Sequence, residues 1–242
     1  IEQEYFNNHF GAFFRINEMM IVPADPTKST QDIFRPPYLH LLYHLQTAIE
    51  QGVVEKDGKE YTMDDFCYKP ITGQGCLITS PMGFWKMNKT EIPETAEQVK
   101  IDAQCIPRAD QSGRVCFDRI GVPVQVSAIF GGTTCVKDDS QPCAPCRIDA
   151  SAYMVTFLLN NNEYSNPVAE QWEKDVFIRN VKTFNLFADY HTELPEGVED
   201  YNQTLYKLLE EEYDKPEYSD MLTLKIDYLS ERSIPDELNK IG

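Results

Sequence analysis

The sequence lacks the features that assign a chain to several common classes of protein. No apolar run approaches the roughly 18 residues that a helix needs to cross a bilayer. Basic residues are scarce, with 22 lysines and arginines against 39 acidic residues and a formal net charge of -17. Because phosphate groups bind to positive surfaces, this balance disfavours nucleic acid and anionic lipid surfaces as partners. The sequence also has no Gly-x-Ser-x-Gly elbow, phosphate-binding glycine loop or dinucleotide fingerprint.

The composition that remains is that of a globular protein. The 242 residues are 42% hydrophobic, which is enough to bury a sizeable core. We find no internal repeat, no low-complexity segment and no convincing linker. We therefore expect a single domain over 1–242, with a core formed by 1–66 and 150–242 and an insertion at 67–149.

Cysteines and glycosylation sequons both indicate an oxidising compartment. Seven cysteines lie in the insertion, which is rich in turn residues and poor in periodicity: Cys67, Cys76, Cys105, Cys116, Cys135, Cys143 and Cys146. Loops that lack a core gain most from cross-links, so we expect a disulfide-stapled insertion. The odd count leaves one thiol free or paired outside the chain. The sequons that begin at Asn88 and Asn202 predict glycosylation at these two positions.

Periodicity assigns strands and helices to the two core segments. We predict strands at 10–22, 122–130, 151–160 and 221–230, a hairpin at 53–61, and helices at 36–51, 167–187, 198–213 and from Ser233 onward. The apolar run 151–160 predicts a central strand that is covered on both faces, and Gly52 is predicted to be a left-handed helix cap. The order predicts an α+β fold with a ferredoxin-like split β-α-β core. Its mainly antiparallel sheet carries the helices on one face.

Two strings near the chain ends resemble a known family. Residues 5–15 read Tyr-Phe-Asn-Asn-His-Phe-Gly-Ala-Phe-Phe-Arg, and residues 230–239 read Ser-Glu-Arg-Ser-Ile-Pro-Asp-Glu-Leu-Asn. Between them lie, in order, Leu-Gln-x-x-Ile-Glu at 45–50, Asp-Phe-Cys-Tyr-Lys-Pro at 65–70, Gly-Gly at 131–132, Val-Thr-Phe-Leu at 155–158 and Trp-Glu-Lys at 172–174. Over nearly the whole chain, this order resembles the middle luminal domain of Niemann–Pick type C sterol transporters. The extra acidic helix within 185–220 departs from the family's pattern.

The resemblance implies a function without covalent chemistry or a cofactor. It implies that the chain is a luminal domain cut from a polytopic, sterol-sensing membrane protein of the late endosome, lysosome or vacuole, with flanking membrane helices outside this chain. A soluble sterol carrier would dock here so that sterol, the cargo of the full protein, can pass to other luminal domains of the same polypeptide. The resemblance also implies the bridges Cys67–Cys76 and Cys105–Cys116.

Two loops correspond by order to the carrier-binding loops of the family. They are residues 24–35, which we name the first contact segment, and residues 87–100, the second contact segment. Each places apolar side chains within a polar loop, and we predict partner binding by Asp32, Ile33, Phe34, Arg35, Thr90, Glu91, Ile92 and Pro93. The alternative is that Phe34 and Ile92 fold back to cover the helix ends.

Other readings of the sequence stay open. The domain could be a recognition module of a Patched-like protein, or a thiol oxidoreductase that uses Cys143 and Cys146, although the helix start that such a dithiol needs is missing. We favour a structural disulfide of Cys135 with Cys143 or Cys146. A zinc site of Cys116 with these three cysteines has the wrong spacing for paired zinc knuckles. His40 and His44 lie one helical turn apart without the glutamate of a metalloprotease motif, and we expect no metal site.

Overall fold

The main sheet combines strands from widely separated parts of the chain. A computed structural model describes residues 14–23, 32–104, 116–136, 147–190, 194–195, 197–215 and 224–230. The strands are β1 (Arg15–Pro23), β2 (Val53–Lys56), β3 (Lys59–Thr62), β4 (Ile78–Thr79), β5 (Phe130–Gly131), β6 (Thr134–Val136), β7 (Arg147–Asp149), β8 (Ala152–Leu159) and β9 (Leu224–Ser230). The helices are α1 (Pro36–Glu50), α2 (Ala96–Asp102), α3 (Val126–Ile129), α4 (Asn166–Trp172), α5 (Arg179–Tyr190) and α6 (Gln203–Tyr213).

The sheet has five strands in the order β4-β8-β1-β9, and β5 also pairs with β8. Every described pair is antiparallel, with Met19 of β1 opposite Val155 of β8 and Tyr228 of β9. Because β8 and β9 are both antiparallel to β1, they run in the same direction on either side of it. The predicted α+β class with a mainly antiparallel sheet is confirmed, while the ferredoxin-like comparison stays a prediction.

Helices cover one face of this sheet. On that face Met19 and Ile21 of β1 are fully buried, and Phe157 of β8 contacts the rings of Trp172 and Phe177 at 6.2 and 5.8 Å between centroids. The opposite face is more open. Ile16, for example, is 41% exposed. The prediction that the central strand is covered on both faces is wrong, because Met154, Thr156 and Leu158 of β8 are only half-buried on the open face.

Helix α1 follows the prediction except at its C-terminal end. It begins with Pro36 and Pro37, and its apolar face is buried in the core. Its C-cap is Gln51, which keeps a right-handed helical conformation, and Gly52 does not have a positive φ. The prediction of a left-handed cap at Gly52 is therefore wrong. Glycine is needed at 52 for space, since an added Cβ would lie 2.2 Å from Cγ1 of Val176.

A widened helical turn joins α4 to α5. Residues Glu173–Ile178 form a π-helix, a rare form that occurs mostly as single turns within α-helices. Glu173 is fully buried there and forms two hydrogen bonds with Arg15, from Nε to Oε1 at 2.6 Å and from Nη2 to Oε2 at 2.8 Å. Asn17 Nδ2 also donates to Oε1 at 3.1 Å. A buried ion pair therefore links the helical layer to the first strand.

The insertion contains one bridge that the structure describes in full. Cys67 and Cys76 form a disulfide, as predicted. Cys116 is also disulfide-bonded and so is unavailable as a zinc thiolate, while its predicted partner Cys105 lies outside the described residues. Cys143, Cys146 and the predicted helix from Ser233 lie outside them too, as does the side chain of Cys135.

The strand predicted at 122–130 is mostly wrong. Residues Val126–Ile129 form α3, and only Phe130–Gly131 reach the edge of β8. Pro123 and the lack of alternating burial before Val126 are consistent with this short pairing. Among the described residues, no helix is both long and apolar enough to cross a membrane.

Candidate functional site

The described part of the first contact segment is a tight turn that starts α1. The Asp32 side chain accepts a hydrogen bond from the backbone N–H of Phe34 at 3.1 Å, and the N–H of Arg35 donates to the Asp32 carbonyl at 3.1 Å. This pairing is the Asx-type turn that aspartate favours. Asp32 and Arg35 remain half-buried at the surface, whereas residues 24–31 lie outside the described chain.

The apolar side chains of both contact segments are buried. Ile33 and Phe34 are 0% exposed, and the Phe34 ring lies 5.0 Å from that of Phe130. The Tyr153 hydroxyl donates to the Ile33 carbonyl, which fixes the backbone of the turn. Ile92 is 7% exposed. The expectation that these side chains are exposed anchors is therefore wrong, because they are buried in the core. For Phe34 and Ile92, this agrees with the alternative that they fold back onto the body of the domain.

The second contact segment begins at an unusual stretch of backbone. Lys86 and Met87 both have a left-handed conformation, with φ of 51° and 58°, which non-glycine residues rarely adopt. Asn88 then caps the short 3-10 turn Lys89–Glu91, since its Oδ1 accepts from the backbone N–H and the hydroxyl of Thr90 at 3.1 and 2.9 Å. Strained backbone of this kind tends to cluster at functional sites.

The exposed surface of this segment is polar and acidic. Thr90 and Glu91 are exposed and Pro93 is half-buried. Further along the segment, Glu94 and Glu97 are exposed as well. As packed here, the segment offers carboxylates and a hydroxyl to a partner, while its apolar residues hold it to the body.

The two contact segments meet at Lys100. This side chain is 7% exposed, forms an ion pair with Asp32 and lies 5.4 Å from the centre of the Phe34 ring. A lysine is rarely buried unless its charge is paired, and here the pairing joins residues about 70 positions apart. No local sequence pattern predicts this contact, because it depends on the tertiary position of α2.

Sequence reasoning also missed a buried carboxylate, Glu212 of α6. Its Oε1 lies 3.2 Å from His40 Nδ1, without good hydrogen-bond geometry, and 2.7 Å from Lys215 Nζ. Its Oε2 lies 3.1 Å from His44 Nε2 and 2.5 Å from Lys89 Nζ. Burial raises the pKa of the Glu212 carboxyl, but the contacts with these four side chains outweigh it and hold that pKa well below its usual range. We name these five residues the Glu212 cluster.

The two glycosylation sequons differ in environment. Asn88 is exposed, and its Nδ2 donates to Glu91 at 3.1 Å. Asn202 caps α6 by accepting from the N–H of Leu205 at 3.1 Å, and its Nδ2 donates to Asn180 Oδ1 at 2.8 Å. Both the oxygen and the nitrogen of the Asn202 side-chain amide thus form hydrogen bonds within the fold, whereas Asn88 lies at the surface.

The fold and its cross-links define the class of this protein. A disulfide-linked α+β domain of this kind is typical of extracytoplasmic domains. The family model described as "NPC1, middle luminal domain" matches residues 3–194. This chain belongs to that family of luminal domains.

Curated relatives agree with the family model. The chain is 25% identical to NPC intracellular cholesterol transporter 1 of Sus scrofa over 262 residues, covering 94% of this chain and 19% of the relative. It is 24% identical to the homolog 1b of this transporter in Drosophila melanogaster, over 80% of this chain and 17% of the relative. It is 25% identical to the homolog 1 in Caenorhabditis elegans, over 72% of this chain and 14% of the relative. The chain therefore spans about a fifth or less of the curated relatives that it matches.

Proposed function

We propose that this domain is a docking platform of a sterol transporter, where a soluble sterol carrier protein binds so that its cargo can pass to other luminal domains of the same polypeptide. The full protein would be anchored by flanking membrane helices and would work in the lumen of the late endosome, lysosome or vacuole. Membership in a family of cholesterol-transporter domains supports the sterol cargo.

The observation that carries this proposal is the meeting of the two contact segments at Lys100. The ion pair of Lys100 with Asp32 brings the first contact segment next to the end of the second, which supports a shared contact surface for a single partner. The buried Ile33, Phe34 and Ile92 shape this surface from beneath. The contacts themselves fall to the exposed and half-buried residues of the two segments, namely Asp32, Arg35, Thr90, Glu91 and Pro93.

The acidic character of the second contact segment determines the test. We expect the carrier to present basic residues, because charge complementarity controls the rate and specificity of such encounters. Replacing Glu91 and Glu94 with lysine should weaken binding of the carrier from the same organism at least ten-fold in a titration at about 100 mM salt.

The matched control replaces Glu55 and Glu60 together with lysine. Both residues are exposed, but they lie on the hairpin strands β2 and β3, outside both contact segments. This variant changes the net charge in the same direction and should leave affinity within about two-fold. Equal losses of affinity in both variants would show that overall charge causes the effect, and they would contradict the proposed contact surface.

The Patched-like alternative predicts a different outcome of the same titration. A recognition module for another ligand would retain the fold but show no saturable binding to the sterol carrier. The thiol oxidoreductase reading depends on Cys143 and Cys146, and trapping of a mixed disulfide through Cys143 would be needed to support it.

A further inference from the structure

The Glu212 cluster joins three parts of the fold that are distant in sequence. His40 and His44 lie on α1, Lys89 belongs to the turn at the start of the second contact segment, and Glu212 lies on α6 beside Lys215. Helix α6 belongs to the segment 185–220, which departs from the pattern of the family. We propose that this cluster is a pH-sensitive latch, which holds the turn Lys89–Glu91 against α1 and α6 at neutral pH and releases it at acidic pH.

At neutral pH, the contacts of Lys89 are mutually compatible. Its ammonium group lies 2.5 Å from Glu212 Oε2 and 3.1 Å from His44 Nε2. A neutral imidazole whose proton is on Nδ1 has a free lone pair on Nε2 and can accept a hydrogen bond there. One ammonium group thus donates to both neighbours, and the turn is held at two points.

Protonation of His44 makes this arrangement unfavourable. Both ring nitrogens of an imidazolium are donors, so His44 can no longer accept from Lys89. Two cationic groups then lie 3.1 Å apart and compete for the same carboxylate oxygen of Glu212. If His40 is protonated as well, the formal charge of the cluster rises from +1 to +3 around a carboxylate whose side chain is only 4% exposed.

The environment of the cluster determines which cation leaves. His40 and His44 are fixed on the 15-residue helix α1, whereas Lys89 belongs to a three-residue turn. Glu212 keeps its negative charge throughout this pH range, because its pKa is lowered. The carboxylate would be protonated, and its contribution to stability lost, only far below the range in which histidine titrates. The carboxylate therefore exchanges the ammonium of the turn for the imidazolium groups of α1.

Two tyrosines of α6 stay neutral over this pH range. Burial raises the pKa of Tyr213, the residue after Glu212, and it also raises the pKa of Tyr206. The ring of Phe187 on α5 contacts both tyrosine rings.

Hydrogen exchange of the intact 242-residue chain tests the latch without any carrier, so the result is independent of the proposed docking function. The reporting amides are those of Glu91 and Ile92, which donate to the carbonyls of Asn88 and Lys89 at 3.1 and 3.3 Å. Protection factors, corrected for intrinsic exchange, are compared at about pH 7.5 and about pH 5, the range over which histidine titrates. We expect protection in the turn to fall about five-fold at the lower pH, which corresponds to the upper value for partly exposed ion pairs.

Three variants distinguish the contributions of His40, His44 and Lys89 to the protection of the turn. His44→Gln cannot be protonated and should abolish the change with pH, whereas His40→Gln should only reduce it. Lys89→Met should give low protection of the turn at both pH values, and it tests the latch even if His44→Gln does not fold.

Two results would overturn the proposal. One is equal protection of the wild-type turn at both pH values. The other is an equal loss at the Cys67 amide, which donates to the Met63 carbonyl at 2.9 Å far from the cluster, because this would indicate global loosening.

Discussion

Removing the charge of Glu173 should destabilise this domain more than almost any other single polar change. Glu173 is 0% exposed, and its carboxylate accepts two hydrogen bonds from Arg15, itself 6% exposed, and one from Asn17. In Glu173→Gln, the guanidinium group stays buried and loses the carboxylate that lies closest to it. The side chain keeps its size, so the change isolates the ion pair from packing.

The expected cost follows from the burial of both partners. Breaking a buried pair by removing one partner costs about 3–5 kcal/mol, and the amide oxygen that glutamine retains favours the lower end. Native domains have about 5–15 kcal/mol of total stability, so this loss is a large fraction. With a urea m-value of about 2–3 kcal/mol/M, the unfolding midpoint should fall by about 1–2 M.

Glu170→Gln is the matched control. Glu170 Oε1 lies 3.7 Å from Nη1 of the same Arg15, but its side chain is 49% exposed. An exposed pair contributes about 0–1 kcal/mol, so the midpoint should move by less than about 0.4 M. Unfolding is followed in urea with the disulfides intact, by the fluorescence of Trp85 and Trp172 and by circular dichroism. Equal shifts for the two variants, or a cost below about 1 kcal/mol for Glu173→Gln, would refute the reasoning.

Three further predictions follow from packing and exposure. Phe34→Ala should cost about 3–5 kcal/mol of unfolding free energy in urea, because the ring is fully buried, whereas an exposed anchor would lose almost none. Gly52→Ala should cost about 1–3 kcal/mol through overlap with Val176, and Val176→Ala in the same chain should recover part of that loss; additive costs would contradict the clash. In protein secreted from eukaryotic cells, Asn88→Gln should remove the glycosidase-sensitive mass and Asn202→Gln should leave it unchanged, because the Asn202 amide is bonded within the fold. A mass loss in the Asn202 variant would contradict this.

Sequence patterns predicted the elements whose residues carry their own signals. Helix α1 was predicted from its two prolines and apolar spacing, and the strands β1, β8 and β9 from their β-forming residues. The bridge Cys67–Cys76 followed from the family resemblance. By contrast, the stretch 122–130 was assigned as one strand, because a short apolar run does not distinguish a strand from a helical turn.

The contact segments show the limit of such reasoning. An apolar residue within a polar loop looks the same in sequence whether it faces solvent or the core, and the burial of Phe34 depends on Phe130 from nearly 100 residues away. The spacing of His40 and His44 was visible, but the carboxylate between them lies on α6, about 170 positions further along. Pairings over such distances have no local signal.

The sequence by itself determined the class of the fold and the family, because periodicity and ordered motifs are properties of the chain alone. Only the tertiary structure decided which side chains are accessible and which charges meet. Lys100 is buried beside Asp32, and Glu212 is surrounded by four nitrogen-bearing side chains, because packing of the helices brings distant residues within hydrogen-bond distance.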